Sequence, residues 1–247
     1  MTQKTALITG AAGGLGRALT NILQAQGWRL VLVSRQAQRL QEAFGENHHQ
    51  IEADCSTPSG VQTLFETLHS QQLQPTALAH CVGNIRLGAL HRISPEVFMD
   101  ALQANLMSAF FTLAGFVNHM RDLKQPGAAV FVSSAAARIG TPNHEAMAAA
   151  KAGVEGLVRA AAASYASANL RVNAVCPGIM DTPAAAGIIS SPSAREAAAK
   201  QYPLPGIGDP AELADLMAWL FSPAAMRVTG QVWSVDAGFS TIRPMVK

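Results

Sequence analysis

The chain has 247 residues, 49% of them hydrophobic and 14% charged, with a formal net charge of +2. That length suffices for one sizeable core and suits a single α/β domain over residues 1–247. Acids and bases are interspersed, with no Lys/Arg run of the kind a nucleic-acid or anionic-membrane surface needs, so neither partner is expected. Cys55, Cys81 and Cys176 show neither C-x-x-C spacing nor an even count, and the N-terminal stretch MTQKTALITG carries no signal-type apolar region. No uninterrupted apolar run approaches the ~20 residues of a membrane span. A cytoplasmic, soluble protein is the expectation.

In chain order, TALIT is a short strand, followed by a glycine-rich turn and an amphipathic helix over 15–26. RLVLVS is a second, buried strand. AQRLQEAF is helical and stops at Gly45, which can take the left-handed conformation of a C-terminal cap. HQIEAD reads as a third strand, and Pro58 opens a helix running to Ser70. TALAHCVG is a fourth strand with its exit turn, and a long helix covers 95–123. GAAVFVSSA is a fifth strand, 145–167 an Ala-rich helix, and RVNAVCPG a sixth strand. A Pro/Gly/Ser-rich stretch over 181–209 breaks the rhythm. PAELADLMAWLF is a helix and QVWSVDAG a final strand. Strands alternating with helices of this length predict a doubly wound, Rossmann-type parallel sheet of about seven strands with helices on both faces. The irregular stretch follows a strand's carboxyl end, where such sheets bind ligands, and is expected to be a lid.

TGAAGGLG, residues 9–16, lies between the first strand and the first helix. Gly10 permits a tight turn, while Gly14 and Gly16 let backbone approach a pyrophosphate and the helix pack on the sheet. The helix N-terminus adds free N–H groups and a positive dipole end. The strand–turn–helix context points to a dinucleotide. At the end of the second strand a carboxylate would bind the ribose hydroxyls of NAD. The chain has Ser34, Arg35 and Gln36 there, and a guanidinium suits a 2′-phosphate. NADP(H) is therefore expected over NAD(H), unless Arg35 is only a solvated loop charge.

These motifs in order resemble the short-chain dehydrogenase/reductase family, in particular its ketoacyl-carrier-protein reductase-like members, over nearly the whole chain. TGAAGGLG is similar to the family's phosphate turn, with Gly10, Gly14, Leu15 and Gly16. EADCS is similar to the segment in which an Asp, here Asp54 followed by Cys55, contacts the adenine. QANLMSAF places Asn105 at the long-helix asparagine, VFVSSAAA places Ser134 at the serine, and Lys151 stands at the lysine. VCPGIMDTP is similar to the segment that brings Pro177, Gly178 and Thr182 to the nicotinamide. The resemblance implies that the serine orients a carbonyl, the lysine holds the nicotinamide ribose, the asparagine supports a proton-relay water, and a Tyr four residues before the lysine transfers the proton. That Tyr position is Met147. The family's NNAG after the fourth strand is HCVG here, with Gly83 retained. His80 and Cys81 lack partners for a metal site, and His80 reads better as a packed, hydrogen-bonded residue.

Carbonyl reduction needs a group that stabilises the developing oxyanion and supplies a proton. A thioether is a weak acceptor with no proton to give. Three readings stay open. Another group could act: His144, Met147 and Lys151 can share one helical face, His144 being either a proton donor or an exposed residue at the helix start, and Lys151 itself a donor if burial and the cationic nicotinamide lower its pKa. The substrate could be a small-molecule conjugated enone, whose protonation water can complete while Ser134 polarises the carbonyl. The site could be inactive, leaving a cofactor-binding structural or regulatory subunit. The resemblance further implies a homodimer or homotetramer through the small-residue helix at 147–168, or a heteromer with an active relative. Tyr202 in the lid could bring a phenol to the pocket, and Arg195 and Lys200 could meet an anionic tail.

Overall fold

Apolar residues run through the strands without alternation, the pattern of strands covered on both faces, and the computed structural model, which describes residues 4–243, is built that way. Strands β1 (Thr5–Thr9), β2 (Arg29–Ser34), β3 (His49–Glu52), β4 (Ala77–His80), β5 (Gly127–Val132), β6 (Leu170–Pro177) and β7 (Val232–Val235) form one sheet in the order β3-β2-β1-β4-β5-β6-β7. Every pairing is parallel. The order reverses direction between β1 and β4, so the carboxyl ends of these two strands open a crevice where a ligand can enter.

The helices are α1 (Gly14–Ala25), α2 (Ala37–Phe44), α3 (Pro58–Ser70), α4 (Pro95–Leu102), α5 (Ser108–Leu123), α6 (Glu145–Tyr165), α7 (Pro192–Ala199) and α8 (Pro210–Phe221). On one face α3, α5 and α6 bury Leu64, Phe116 and Val158 against Leu7, Leu78 and Phe131. On the other, α1 and α8 bury Leu19, Leu23 and Leu213 against Ile8, Leu32 and Val130. Burial of a side chain of this size is worth ~1.5–3 kcal/mol, so the two layers hold the strand ends rigidly.

Two elements differ from the sequence reading. The expected single helix over 95–123 is broken by a π-helical turn at Gln103–Met107, in which the Ser108 N–H reaches the Gln103 carbonyl. Side chains take part: Asn105 Nδ2 donates to the Ala101 carbonyl at 2.9 Å and Ser108 Oγ to the Ala104 carbonyl at 2.7 Å. Such turns concentrate at functional sites. By length and mean hydropathy (1.3 over 18 residues) the combined Pro95–Leu123 stretch could cross a membrane. Counting only uninterrupted runs overlooked it, because Asn105 and Ser108 break the apolar run. In the fold this stretch lays Ala109, Leu113, Phe116 and Met120 on the sheet.

The lid stretch is also more ordered than expected. Ser191 caps α7 by accepting from the Ala194 N–H, and Pro192 occupies its first turn. At the lid's base, the Asp181 N–H donates to the Gly208 carbonyl and the Gly208 N–H to the Ile179 carbonyl.

Candidate active site

The crevice begins at the turn after β1. Gly10 has φ +69°, and a Cβ there would lie 2.8 Å from the Cys81 carbonyl group at the end of β4. A Cβ on Gly16 would lie 2.5 Å from the Gly10 carbonyl oxygen, and one on Gly14 would strike Thr182 at 2.8 Å. Only glycines let α1 approach this closely. The helix has Gly13 as its N-cap, with no side chain capping it and no acid in its first turn. Its leading N–H groups and positive dipole end thus suit a pyrophosphate, and the cradle fits a dinucleotide. Leu15 is buried, so it offers only backbone.

Further along the crevice, Ser34 Oγ accepts from the Gln36 N–H at 3.4 Å, and Arg35 is exposed at the end of β2. Asp54 Oδ1 accepts from the Ser56 N–H and hydroxyl at 2.9 and 2.6 Å. Cys55 packs into the core, and burial pushes its thiol up to about 11, so it too offers only backbone. Arg86 hydrogen-bonds Asp100 at 2.7 Å and, with a further pull from Arg35, holds that carboxyl below its ordinary range. Arg35 and Arg86 therefore act on the same side of the crevice mouth.

A pocket of about 320 Å³ lies between the ends of β4, β5 and β6 and the lid. It brings together Gly83, Asn105, Ser134, His144, Met147 and Lys151, and also Pro177, Gly178 and Thr182. The other predicted cofactor residues, Gly10, Gly14, Leu15, Gly16, Ser34, Arg35, Asp54 and Cys55, lie outside it; Gly14 connects through its contact with Thr182.

Each polar group in the pocket is placed by its neighbours. Lys151 is buried and donates from Nζ to the Val132 carbonyl at 2.9 Å. Burial lowers its pKa to about 8. Asn105 Nδ2 donates to the carbonyl and the side-chain oxygen of Asn84, and Met147 Sδ lies 3.8 Å from it. A Cβ on Gly83 would sit 2.6 Å from Asn105 Oδ1, so this glycine makes room for the amide. Ser134 Oγ accepts from the Ala136 N–H at 3.2 Å, which leaves its own hydrogen free among the described residues. His144 begins α6. Its Nδ1 lies 2.8 Å from the Pro142 carbonyl, so Nδ1 carries the hydrogen and Nε2 the lone pair when the ring is neutral.

Behind this layer, His80 is fully buried. Its Nδ1 meets Thr9 Oγ1 at 2.9 Å, and its Nε2 meets Ser108 Oγ at 3.1 Å. The Ser108 hydroxyl hydrogen is committed to Ala104, so Nε2 donates and Nδ1 accepts. Burial, then the Lys151 charge, lower the His80 pKa to about 3. The imidazole bridges β1 and the helix at 108, as a packed residue rather than a metal ligand.

Sequence reasoning missed a second layer. Glu155, one turn after Lys151, is buried and held by Arg138 through two bonds of 3.1 and 3.2 Å, and it accepts from Ser133 Oγ at 2.9 Å. It fixes the turn that carries Ser134. No spacing rule links residues so far apart, although an acid amid the small and apolar residues of 146–158 was visible. Arg195 and Lys200 are spent on Asp181 and Glu196, each at 2.6 Å, so neither serves as a free cation for an anionic tail.

The family model described as enoyl-(acyl carrier protein) reductase matches residues 10–240. Carbonyl reductase family member 4 of Danio rerio is 34% identical over 244 residues, covering 97% of this chain and 99% of that protein. The ligand-free aldohexose dehydrogenase of Thermoplasma acidophilum superposes with a TM-score of 0.89 at 26% identity, over 99% of this chain and 97% of that one. A variant actinorhodin polyketide ketoreductase with NADPH gives a TM-score of 0.92 at 24% identity, over 97% and 98% of the two chains.

Proposed function

This chain belongs to the short-chain dehydrogenase/reductase family, and from that premise we propose that it is an NADP(H)-dependent oxidoreductase that passes hydride to a conjugated enone, or to a carbonyl, without a phenolic acid. The observation that carries the reading is Met147, seated in the pocket one turn before Lys151 with its sulfur against Asn105. A reduced nicotinamide, when bound, supplies the hydride. Ser134 gives its free hydrogen to the substrate oxygen and so draws charge toward it as the hydride arrives at the β-carbon. The enolate that results takes its proton from water at the α-carbon, so no strong acid is needed at residue 147. For a simple ketone the oxygen itself must be protonated, and His144 and the Lys151 ammonium, whose pKa burial lowers to about 8, are the nitrogen groups of the pocket that can supply that proton. Lys151, with one hydrogen on Val132, has two left to hold ribose hydroxyls.

NADP(H) over NAD(H) is supported by the guanidinium of Arg35 at the end of β2, where no acid stands to repel a 2′-phosphate. The exposed small residues Ala149, Ala152 and Gly156 on α6, with exposed Met99 and Phe110 nearby in sequence on the long helix, support a homo-oligomer built on these helices. The three cysteines are free, which suits a reducing, cytoplasmic setting.

The test is a fluorescence titration with NADPH and NADH, then NADPH oxidation against enones, ketones and quinones. The reading expects tighter NADPH binding, lost in Arg35→Ala, and enone turnover lost in Ser134→Ala. Tight binding with no turnover across the panel overturns it in favour of a non-catalytic subunit.

A further inference from the structure

We propose that Tyr202 is the substrate-recognition residue of this pocket, its phenol donating a hydrogen bond to a second oxygen of a neutral enone or ketone, away from the reacting carbonyl. The inference rests on the hydride-transfer reading above and names its substrate class.

The phenol is fixed in place. The Ile179 N–H donates to the Tyr202 oxygen at 2.6 Å. The ring lies over Gly178, where a Cβ would be 2.6 Å from Cε1, and packs on Phe239 with centroids 5.0 Å apart. The Leu204 N–H ties the following turn to the Ala237 carbonyl. A site held on this many sides can select geometry.

The phenol is also unspent. Its oxygen accepts from Ile179, which leaves the O–H hydrogen without an acceptor among the described residues, in a wall of the pocket. Burial, then Asp236, hold the phenol above its ordinary pKa against the pull of the Ile179 bond, so it is a donor at neutral pH. A second hydroxyl points the same way: Thr141 also lines the pocket, and its Oγ1 is buried with no partner among the described residues. Buried polar groups left unpaired are costly, and a site built with them rewards a ligand that pairs them.

The rest of the wall decides the charge. Ile85, Ile179, Ile188, Met147 and Phe239 are apolar. Arg195 and Lys200 are exposed, paired with Asp181 and Glu196, and do not line the pocket. Lys151 is committed to Val132 at the reacting end. Apolar side chains around the unpaired phenol hydrogen of Tyr202 suit a neutral hydroxyl or carbonyl oxygen better than an anion.

The test is calorimetric binding to the full chain loaded with NADP+, which needs no turnover. The probes are cyclohex-2-enone and its 4-, 5- and 6-hydroxy derivatives. At least one hydroxy isomer is expected to bind about tenfold tighter than the parent, the effect of one good hydrogen bond. Tyr202→Phe, which keeps the ring on Phe239, should bring that preference to within about twofold. Thr141→Val should reduce the preference and Thr141→Ser retain it; this pair carries the test if Tyr202→Phe does not fold. A preference that survives in folded Tyr202→Phe, or no preference in wild type, overturns the proposal. NADPH oxidation by the same four compounds is scored separately. Selective binding without oxidation sinks the hydride-transfer reading alone, while oxidation without selectivity sinks only the role of Tyr202.

Discussion

The sulfur of Met147 lies 3.8 Å from the side-chain nitrogen of Asn105, an amide already donating to Asn84 and to the Ala101 carbonyl. A thioether adds little to so well-satisfied a group. The contact fills space at a position on α6 that shares a helical face with both His144 and Lys151.

Met147→Tyr should therefore place a phenolic acid one turn before Lys151, at a position that now has no proton to give. The new phenol would stand one turn before the Lys151 ammonium, which favours its ionised form. A positioned general acid contributes ~10²–10⁴ in rate. The expected outcome is a rise of that order in kcat for NADPH-dependent ketone reduction, with a smaller change for enones. Steady-state kinetics on one ketone and one enone checks it. An equal effect on both would mean that proton supply does not limit the native chain.

What the sequence disclosed follows from which signals are local. The starts of α3 and α8 were legible because Thr57-Pro58 and Asp209-Pro210 pair a capping oxygen with a proline at the first turn. The stop at Gly45 was legible because its φ of +59° favours glycine. The π turn at 103–107 was hidden, because apolar periodicity passes through it and its cause is hydrogen bonding by the side chains of Asn105 and Ser108. α7 carried the same Ser-Pro signal as the other helices and was masked by its Gly- and Ser-rich flanks. In the site, Ser134, Lys151 and Met147 could be placed by their order along the chain. The Glu155–Arg138–Ser133 cluster and the free hydrogen of Tyr202 are products of tertiary contact and have no one-dimensional signature.

Two glycines should separate stability from lid function. In Gly16→Ala the new methyl meets backbone, 2.5 Å from the Gly10 carbonyl oxygen and 2.7 Å from Ala11 Cα, neither of which can swing aside. Loss of a few kcal/mol of stability and of dinucleotide binding is expected, read by thermal melting and fluorescence titration. In Gly178→Ala the methyl meets the Tyr202 ring on the lid, and a lid can lift. Dinucleotide affinity should hold better while KM for substrate rises. Equal damage to both properties in Gly178→Ala would show that the lid is not an independent unit.

His80 should make the fold acid-sensitive. Its pKa is about 3 in the native protein against an ordinary 6.5, so between these limits the unfolded chain binds a proton that the folded chain refuses. Stability attributable to this group is complete above pH 6.5 and is lost as pH falls, by up to ~1.4 kcal/mol per unit. His80→Asn keeps an acceptor for Thr9 but gives up the bond to Ser108, at a cost of ~2 kcal/mol near pH 7. The two stability curves should converge on acidification and cross near about pH 5. Urea titrations of both proteins from pH 7 to pH 4 measure the difference; parallel curves would refute the assignment of a neutral, buried imidazole.

Lys151 should do the reverse, because the ammonium is buried for a ligand's sake. The native pKa is about 8 against an ordinary 10.5, burial being the main cause. Below pH 8 the lysine is charged in both states and the folded chain bears the whole desolvation penalty. Between pH 8 and 10.5 the unfolded chain holds the extra proton, so this group's contribution to stability rises with pH. The displacement corresponds to about 3 kcal/mol. Cys81 acts in the opposite sense above pH 9, since burial pushes its thiol up to about 12 and the unfolded thiol ionises first. Comparison with Lys151→Met removes most of that contribution, because the thiol is common to both proteins. Without dinucleotide, the variant should melt higher than the native chain at pH 7, less the ~1 kcal/mol lost when the Val132 carbonyl loses its donor. That advantage should shrink from pH 8 upward, vanish near about pH 10 and reverse above it, where only the lost Val132 bond remains. With NADPH the order should invert, since the native chain alone gains the ribose contact. A variant that gains no stability at pH 7, or that binds NADPH as tightly as the native chain, would show that this ammonium is neither strained by burial nor used to hold the nucleotide.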